Sequence, residues 1–175
     1  WLNEDSFRHT AEFLREGLRP AGFENEGVSY VNLDAMWHPI GEAGLKRLRD
    51  EQHANAQRAG IYDAPFAFFG RDVKAEIPGQ CGHCFEEILL RDDQGRLLPR
   101  VDGAIPMDVT HPLWEAYTRE KYERFIAWGY EYVKVDFMSH GGMEGVHADA
   151  SVRTGRQAIN RGYRFLAELL SPSLF

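Results

Sequence analysis

Apolar and polar positions alternate along this chain with two periods, and the two interleave. Residues 3–18 place Phe7, Ala11, Phe13, Leu14 and Leu18 at helical spacing behind Asn3 or Asp5 as capping residues, and Arg19-Pro20-Ala21-Gly22 breaks the pattern. From Val28 to Asp34 the period becomes two. A strand is predicted there, with Tyr30, Asn32 and Asp34 on one face and Val31 and Leu33 on the other. Leu45, Leu48 and Ala56 predict a helix over 42–59, and Gly60-Ile61-Tyr62 opens a strand running to Phe69. A short strand over 104–108 ends in Asp108, and Pro112 suits the first turn of the helix that follows. Ala158, Ile159, Tyr163, Leu166 and Leu169 predict a closing helix over 154–170.

The most informative stretch is residues 117–137. Tyr117 to Trp128 is predicted to be an amphipathic helix ended by Gly129, where a C-cap glycine is expected. The strand from Tyr130 to Phe137 then puts Val133, Val135 and Phe137 on one face and Tyr132, Lys134 and Asp136 on the other. An ammonium and a carboxylate two residues apart are costly on a core face, so that face is expected to line a site. A lysine there needs a partner, either Asp136 or a neighbouring strand-end acid. A helix, a turn and a strand ending in an acid make half of a β/α unit, and strand ends of parallel α/β folds carry active sites.

Composition narrows the function classes. The 175 residues are 43% apolar and 13% aromatic, enough to fill a core. A net charge of −7 without a basic run argues against a nucleic-acid partner, and no apolar stretch approaches the roughly 18 residues of a membrane span. The chain begins in mid-pattern at Trp1-Leu2-Asn3 with no visible leader, which leaves localisation open between a secreted or periplasmic and a cytoplasmic protein. Residues 70–103 do not read as a β/α unit. Glu86 to Pro99 reads as a β-hairpin about a Gln94-Gly95 turn, carried on an insertion.

The segment Phe125-Ile-Ala-Trp128-Gly129-Tyr-Glu-Tyr132-Val-Lys134-Val-Asp136 resembles the F-A-x-W-G-x-D-Y-x-K-x-D segment of α-galactosidase-type glycoside hydrolases, families 27 and 36 of clan D. The resemblance implies that Asp136 is the catalytic nucleophile and that Lys134 binds sugar hydroxyls. Leu33-Asp34-Ala35-Met36-Trp37 is similar to the clan's I-D-D-G-W motif, which implies sugar contacts at Asp34 and Trp37. Ala35 replaces the second acid, so N-acetylgalactosaminides, β-arabinopyranosides and α-glucans stand beside α-galactosides as expected substrates. Gly60-Ile61-Tyr62 resembles the family's G-I-Y strand and implies a place for Asp63 at the pocket rim. Asp108-Val-Thr-His-Pro112 resembles the D-x-x-x-P step of family 36 and makes Asp108 a candidate sugar contact. The glycine-rich loop 138–149 lies where barrels carry catalytic loops and makes His140 a candidate sugar contact.

The fold so implied is α/β, part of a (β/α)8 TIM barrel of about four β/α units with a hairpin insertion. A complete barrel takes roughly 250 residues, so the remainder of the barrel is expected from a longer chain. The implied chemistry is that of a retaining exo-glycosidase needing no cofactor and no metal. Its acid/base lies on a later strand, and no residue here matches it. Two rivals follow from other features. A non-catalytic carbohydrate-binding relative would keep Asp34 and Trp37 without that acid. Cys81-Gly-His83-Cys84 is the tetrapeptide of protein disulfide isomerase active sites, although Gln80 rather than Trp precedes it and no thioredoxin-like βαβ pattern surrounds it. Zinc at Cys81, His83 and Cys84 lacks a fourth ligand, and His140, Glu144 and His147 read better as polar loop residues than as a metal cluster.

Overall fold

The computed structural model describes residues 3–170. In chain order these form helix α1 (Glu4–Phe13), strand β1 (Tyr30–Leu33), helix α2 (Gly41–Ala54), strands β2 (Arg58–Asp63), β3 (Ala67–Phe68) and β4 (Ile105–Pro106), helix α3 (Pro112–Ala127), strand β5 (Tyr132–Val135) and helix α4 (Gly155–Leu170). They divide into two compact units, residues 3–63 with 124–134 and residues 64–123 with 135–170.

The first unit is built on a three-stranded sheet in the order β1-β2-β5. β1 and β2 run parallel with Tyr30 opposite Arg58 and Leu33 opposite Ile61. The predicted alternation in β1 holds: Val31 and Leu33 are buried while Tyr30 is exposed. Asn3 caps α1 through a reciprocal pair with Ser6, at 2.8 and 3.0 Å. Leu45 and Leu48 of α2 are completely buried, each contributing about 1.5–3 kcal/mol. Gln52 of α2 donates to the Val31 carbonyl at 3.3 Å, tying the helix to β1. Gly129 has φ +83, a left-handed conformation that follows α3 as expected for a C-cap glycine. Directly after it, the Tyr130 hydroxyl donates to the Leu45 carbonyl at 3.1 Å inside the core.

Three expectations need correction here. α1 ends at Phe13 and gives way to a wider turn over Leu14–Leu18, and Phe13, well off the helix face that buries Phe7 and Ala11, is 62% exposed rather than in the core. α2 stops at Ala54 because Ala56 sits at φ +53, so Ala56 lies outside the helix and is exposed. The strand predicted from Gly60 to Phe69 is two short strands. Pro65 lacks the N–H a ladder needs, and the chain turns between β2 and β3.

In the second unit β3 pairs with β4 antiparallel, Ala67 opposite Pro106 and Phe68 opposite Ile105. The 104–108 segment is therefore not a parallel strand beside the others. Phe66 and Trp114 form the centre of this unit at 5.7 Å between rings, and the Trp114 indole donates to the Pro65 carbonyl at 2.7 Å. The hairpin over 86–99 is also corrected. Residues Phe85–Ile88 form a 3-10 turn, and the hairpin is shorter than expected: about the turn at Gln94-Gly95 it keeps the Asp92–Arg96 bond, the Arg91–Leu97 bridge and a bond from the Leu98 amide to the Leu90 carbonyl at 3.0 Å. In α4 the buried face is Gly155, Ala158, Gly162 and Leu166, whereas Tyr163 is 43% exposed.

Candidate functional site

In the first unit the strand ends converge on a charged pair. Lys134 of β5 directs its Nζ to both oxygens of Asp34, at 3.1 and 3.0 Å, and lies 5.3 Å from the centre of the Tyr62 ring on β2. The required partner of Lys134 is thus the neighbouring strand-end acid. The same carboxylate accepts from the Ala35 amide at 2.8 Å. The lysine contact first, and the amide second, hold the Asp34 carboxyl below the usual aspartate range. Both side chains stay open to water, at 41% and 60% exposure, so a hydroxylated ligand can reach them. Tyr62 escaped the sequence reading. Its place in the Gly60-Ile61-Tyr62 stretch, one residue before Asp63, was the available signal.

Trp37 is positioned differently from its expectation. The indole is 7% exposed, donates to the Tyr62 carbonyl at 2.8 Å, stacks on His38 at 4.0 Å and meets Phe125 and Trp128 edge-on. A ring so packed offers no open face to a sugar and instead braces the segment after β1 against the end of β2. Asp63, the last residue of β2, is buried at 9% exposure.

In the second unit Asp136 follows the last residue of β5 and is half-buried. One of its oxygens accepts from the Phe137 amide at 2.8 Å, and Phe137 adopts φ +52. This left-handed step ends the predicted alternation, so Phe137 does not continue the apolar face of the strand. Its ring packs against Phe69 at 4.8 Å and His140 at 5.6 Å. His140 is completely buried and its Nε2 meets the Val101 carbonyl at 2.9 Å, a position that does not suit sugar contact.

Asp108 is likewise buried, at 5% exposure, with both oxygens engaged. Thr110 donates from its amide at 3.0 Å and its hydroxyl at 2.8 Å, Ala148 from its amide at 2.7 Å, and His147 Nδ1 lies 3.3 Å away. Burial raises the carboxyl's pKa, but the His147, Ala148 and Thr110 hydrogen bonds outweigh it and hold it below the ordinary value. The Thr110 hydroxyl in turn accepts from the Asp149 amide at 3.1 Å. Asp108 therefore pins residues 146–149 of the loop following Asp136. The partners on that loop, His147 and Ala148, lie far from Asp108 in sequence and carried no local signal.

Among the described residues no group of three or more His, Cys, Asp or Glu is arranged to hold a metal ion. A groove of about 350 Å³ between α1 and α2, lined in part by Phe7, Arg8, Leu48 and Glu51, includes none of the residues above. It is an open helix–helix groove spanned by the Arg8–Glu51 ion pair, and the chemistry described here lies elsewhere.

No protein-family model matches the chain, and no curated protein sequence does. Solved structures do match. An α-galactosidase of Thermus thermophilus, in complex with p-nitrophenyl α-D-galactopyranoside, superposes with a TM-score of 0.71 at 19% identity over 98% of this chain. An α-N-acetylgalactosaminidase of Bifidobacterium bifidum, in complex with N-acetylgalactosamine, superposes with a TM-score of 0.65 at 18% identity over 97% of this chain. The chain spans 34% and 28% of the lengths of these two proteins. Its fold is an α/β fold resembling part of the catalytic domains of α-galactosidases and α-N-acetylgalactosaminidases.

Proposed function

We propose that this chain is part of a retaining exo-glycosidase acting on terminal α-galactoside-like sugars, N-acetylgalactosaminides included. It forms about four β/α units of a (β/α)8 catalytic barrel with an insertion near residues 70–103, and the rest of the barrel comes from a longer chain. Asp136 is the nucleophile and attacks the anomeric carbon, expelling the leaving oxygen to form a covalent glycosyl-enzyme. A second carboxylic acid, outside these residues and about 5 Å from the nucleophile, protonates that oxygen and then activates water. Lys134 and Asp34 hold sugar hydroxyls, the ammonium donating and the carboxylate accepting. Tyr62 extends that polar surface and Trp37 braces the backbone of the same unit beside the buried Asp63, while in the second unit Asp108 and His140 hold the loop that follows Asp136.

The observation that carries this reading is the exposed Lys134–Asp34 pair, two strand-end groups in a fold similar to enzymes solved with galactose-configured ligands. A structural salt bridge alone would give little stability at such exposure, so a ligand role accounts for its place better. The test uses the full-length protein with p-nitrophenyl α-D-galactopyranoside and the matching α-N-acetylgalactosaminide, following the first sugar released by NMR. The α anomer is expected as first product. A β anomer as first product overturns the retaining mechanism. Sugar binding without hydrolysis of any terminal glycoside makes the protein a carbohydrate-binding relative instead.

A further inference from the structure

Independently of the glycosidase reading, we propose that Cys81 and Cys84 form a two-thiol site that exchanges with low-molecular-weight disulfides and closes reversibly into an intramolecular disulfide. Both cysteines are unpaired, Cys81 exposed and Cys84 half-buried. The segment that carries them is firmly anchored below its tip. Phe85 donates to the Ala75 carbonyl at 3.1 Å and Glu86 to the Val73 carbonyl at 2.8 Å, and Ile77 and Ile88 are completely buried. At the tip, His83 donates to the Gln80 carbonyl at 3.0 Å, closing a four-residue turn with Cys81 at its second position and Gly82 at its third. Gly82 has φ +81, the conformation that a type II turn requires at that place.

The two thiols are held in different ways. The Cys84 sulfur accepts the Glu87 amide, and the Glu87 carboxylate returns to the Cys84 amide at 2.8 Å and to His83 Nδ1 at 2.9 Å. Cys84 is thus fixed on an ordered framework, whereas Cys81 is exposed three residues earlier, in the turn closed by Gln80 and His83. That is an entry thiol beside a resolving thiol. Deprotonated Cys81 attacks one sulfur of a small disulfide such as glutathione disulfide, forming a mixed disulfide and releasing one thiolate, which takes up the proton Cys81 lost. Cys84 then gives its proton to solvent and attacks the Cys81 sulfur, breaking the mixed disulfide and releasing the second small thiol. The protein dithiol is oxidised by two electrons, and one small disulfide is reduced to two thiols.

The experiment treats the full-length reduced protein with glutathione disulfide and maps the Cys81–Cys84 peptide by mass spectrometry, in the wild type and in Cys84→Ser and Cys81→Ser variants. In the wild type the peptide should lose two hydrogens without retaining glutathione, and reduction should restore it. Cys84→Ser should trap glutathione on Cys81, and Cys81→Ser should react at least about tenfold more slowly, because exposure governs access to a thiol. A wild-type peptide that keeps glutathione on either cysteine shows that the second thiol does not reach the first and overturns the proposal. A wild-type peptide that stays fully reduced, while small-molecule alkylation confirms that Cys81 is accessible, overturns it as well.

Discussion

Asp34 and Asp108 look alike in the sequence: each ends a short strand, and each falls on a motif that implies a place in a sugar-binding enzyme. The structure separates them. Asp34 is 60% exposed and is met by one flexible ammonium and one amide, so its acceptor capacity remains available to a ligand. Asp108 has a 6% exposed side chain and spends both oxygens on Thr110, Ala148 and His147 within the second unit. A strand-end acid is a candidate ligand when its lone pairs face water, and a scaffold when the fold has already consumed them. Burial and partners, rather than the motif, distinguish the two cases.

The comparison can be broken most severely at Asp108. Asp108→Ala should lower unfolding stability by about 3 kcal/mol in urea titrations, since several buried donors lose their acceptor together. A loss below about 1 kcal/mol, the range of exposed pairs, would remove the distinction drawn here. Asp34→Asn should leave the urea midpoint nearly unchanged while kcat/KM on α-galactosides falls by roughly 10- to 100-fold, the value of one charge-assisted hydrogen bond. Lys134→Met sharpens the contrast further: stability should change by less than about 1 kcal/mol, because the pair is solvated. The smallest effect is in acid. Both carboxyls have folded pKa values below the ordinary 3.8, so their stabilisation is complete above that value and is lost as pH falls through the lower folded one. Urea midpoints recorded from pH 6 downwards should therefore decline more gently than in the wild type in Asp108→Asn, and only slightly more gently in Asp34→Asn, whose exposed ion pair is screened by water.

Much of the first unit was legible because local patterns and burial agree there. The alternation of Val31 and Leu33, the Leu45–Leu48 stripe and the left-handed Gly129 each need only neighbouring residues to be read. The failures share a cause, which is that a tertiary partner decides the outcome. Phe13 was counted with the helical stripe, yet it points away from the face on which Phe7 and Ala11 are buried and stays in water. Trp37 sits in a sugar-binding motif, yet the Tyr62 carbonyl and three aromatic neighbours enclose it. Leu89 fits a hairpin strand, yet it bridges to Met107, and Leu90 divides its bonds between the hairpin partner Leu98 and the Pro106 carbonyl. Of the candidate site, the need of Lys134 for an acid followed from the cost of an unpaired lysine, whereas the choice of Asp34 over Asp136 came only with the structure. The role of His147 beneath Asp108 depended on a contact 39 residues away that no local pattern encodes.

The central claim is that Asp136 is the nucleophile of a retaining glycosidase, and the most direct measurement is a trapping experiment on the full-length protein. An activated fluoro-α-galactoside that accumulates glycosyl-enzymes is incubated with it, and the peptides are mapped by mass spectrometry. A single fluoro-glycosyl adduct on Asp136, absent from Asp136→Asn, is expected. An adduct on a different carboxylate, or none from any fluoro-sugar on a folded protein that binds sugar, would contradict the claim.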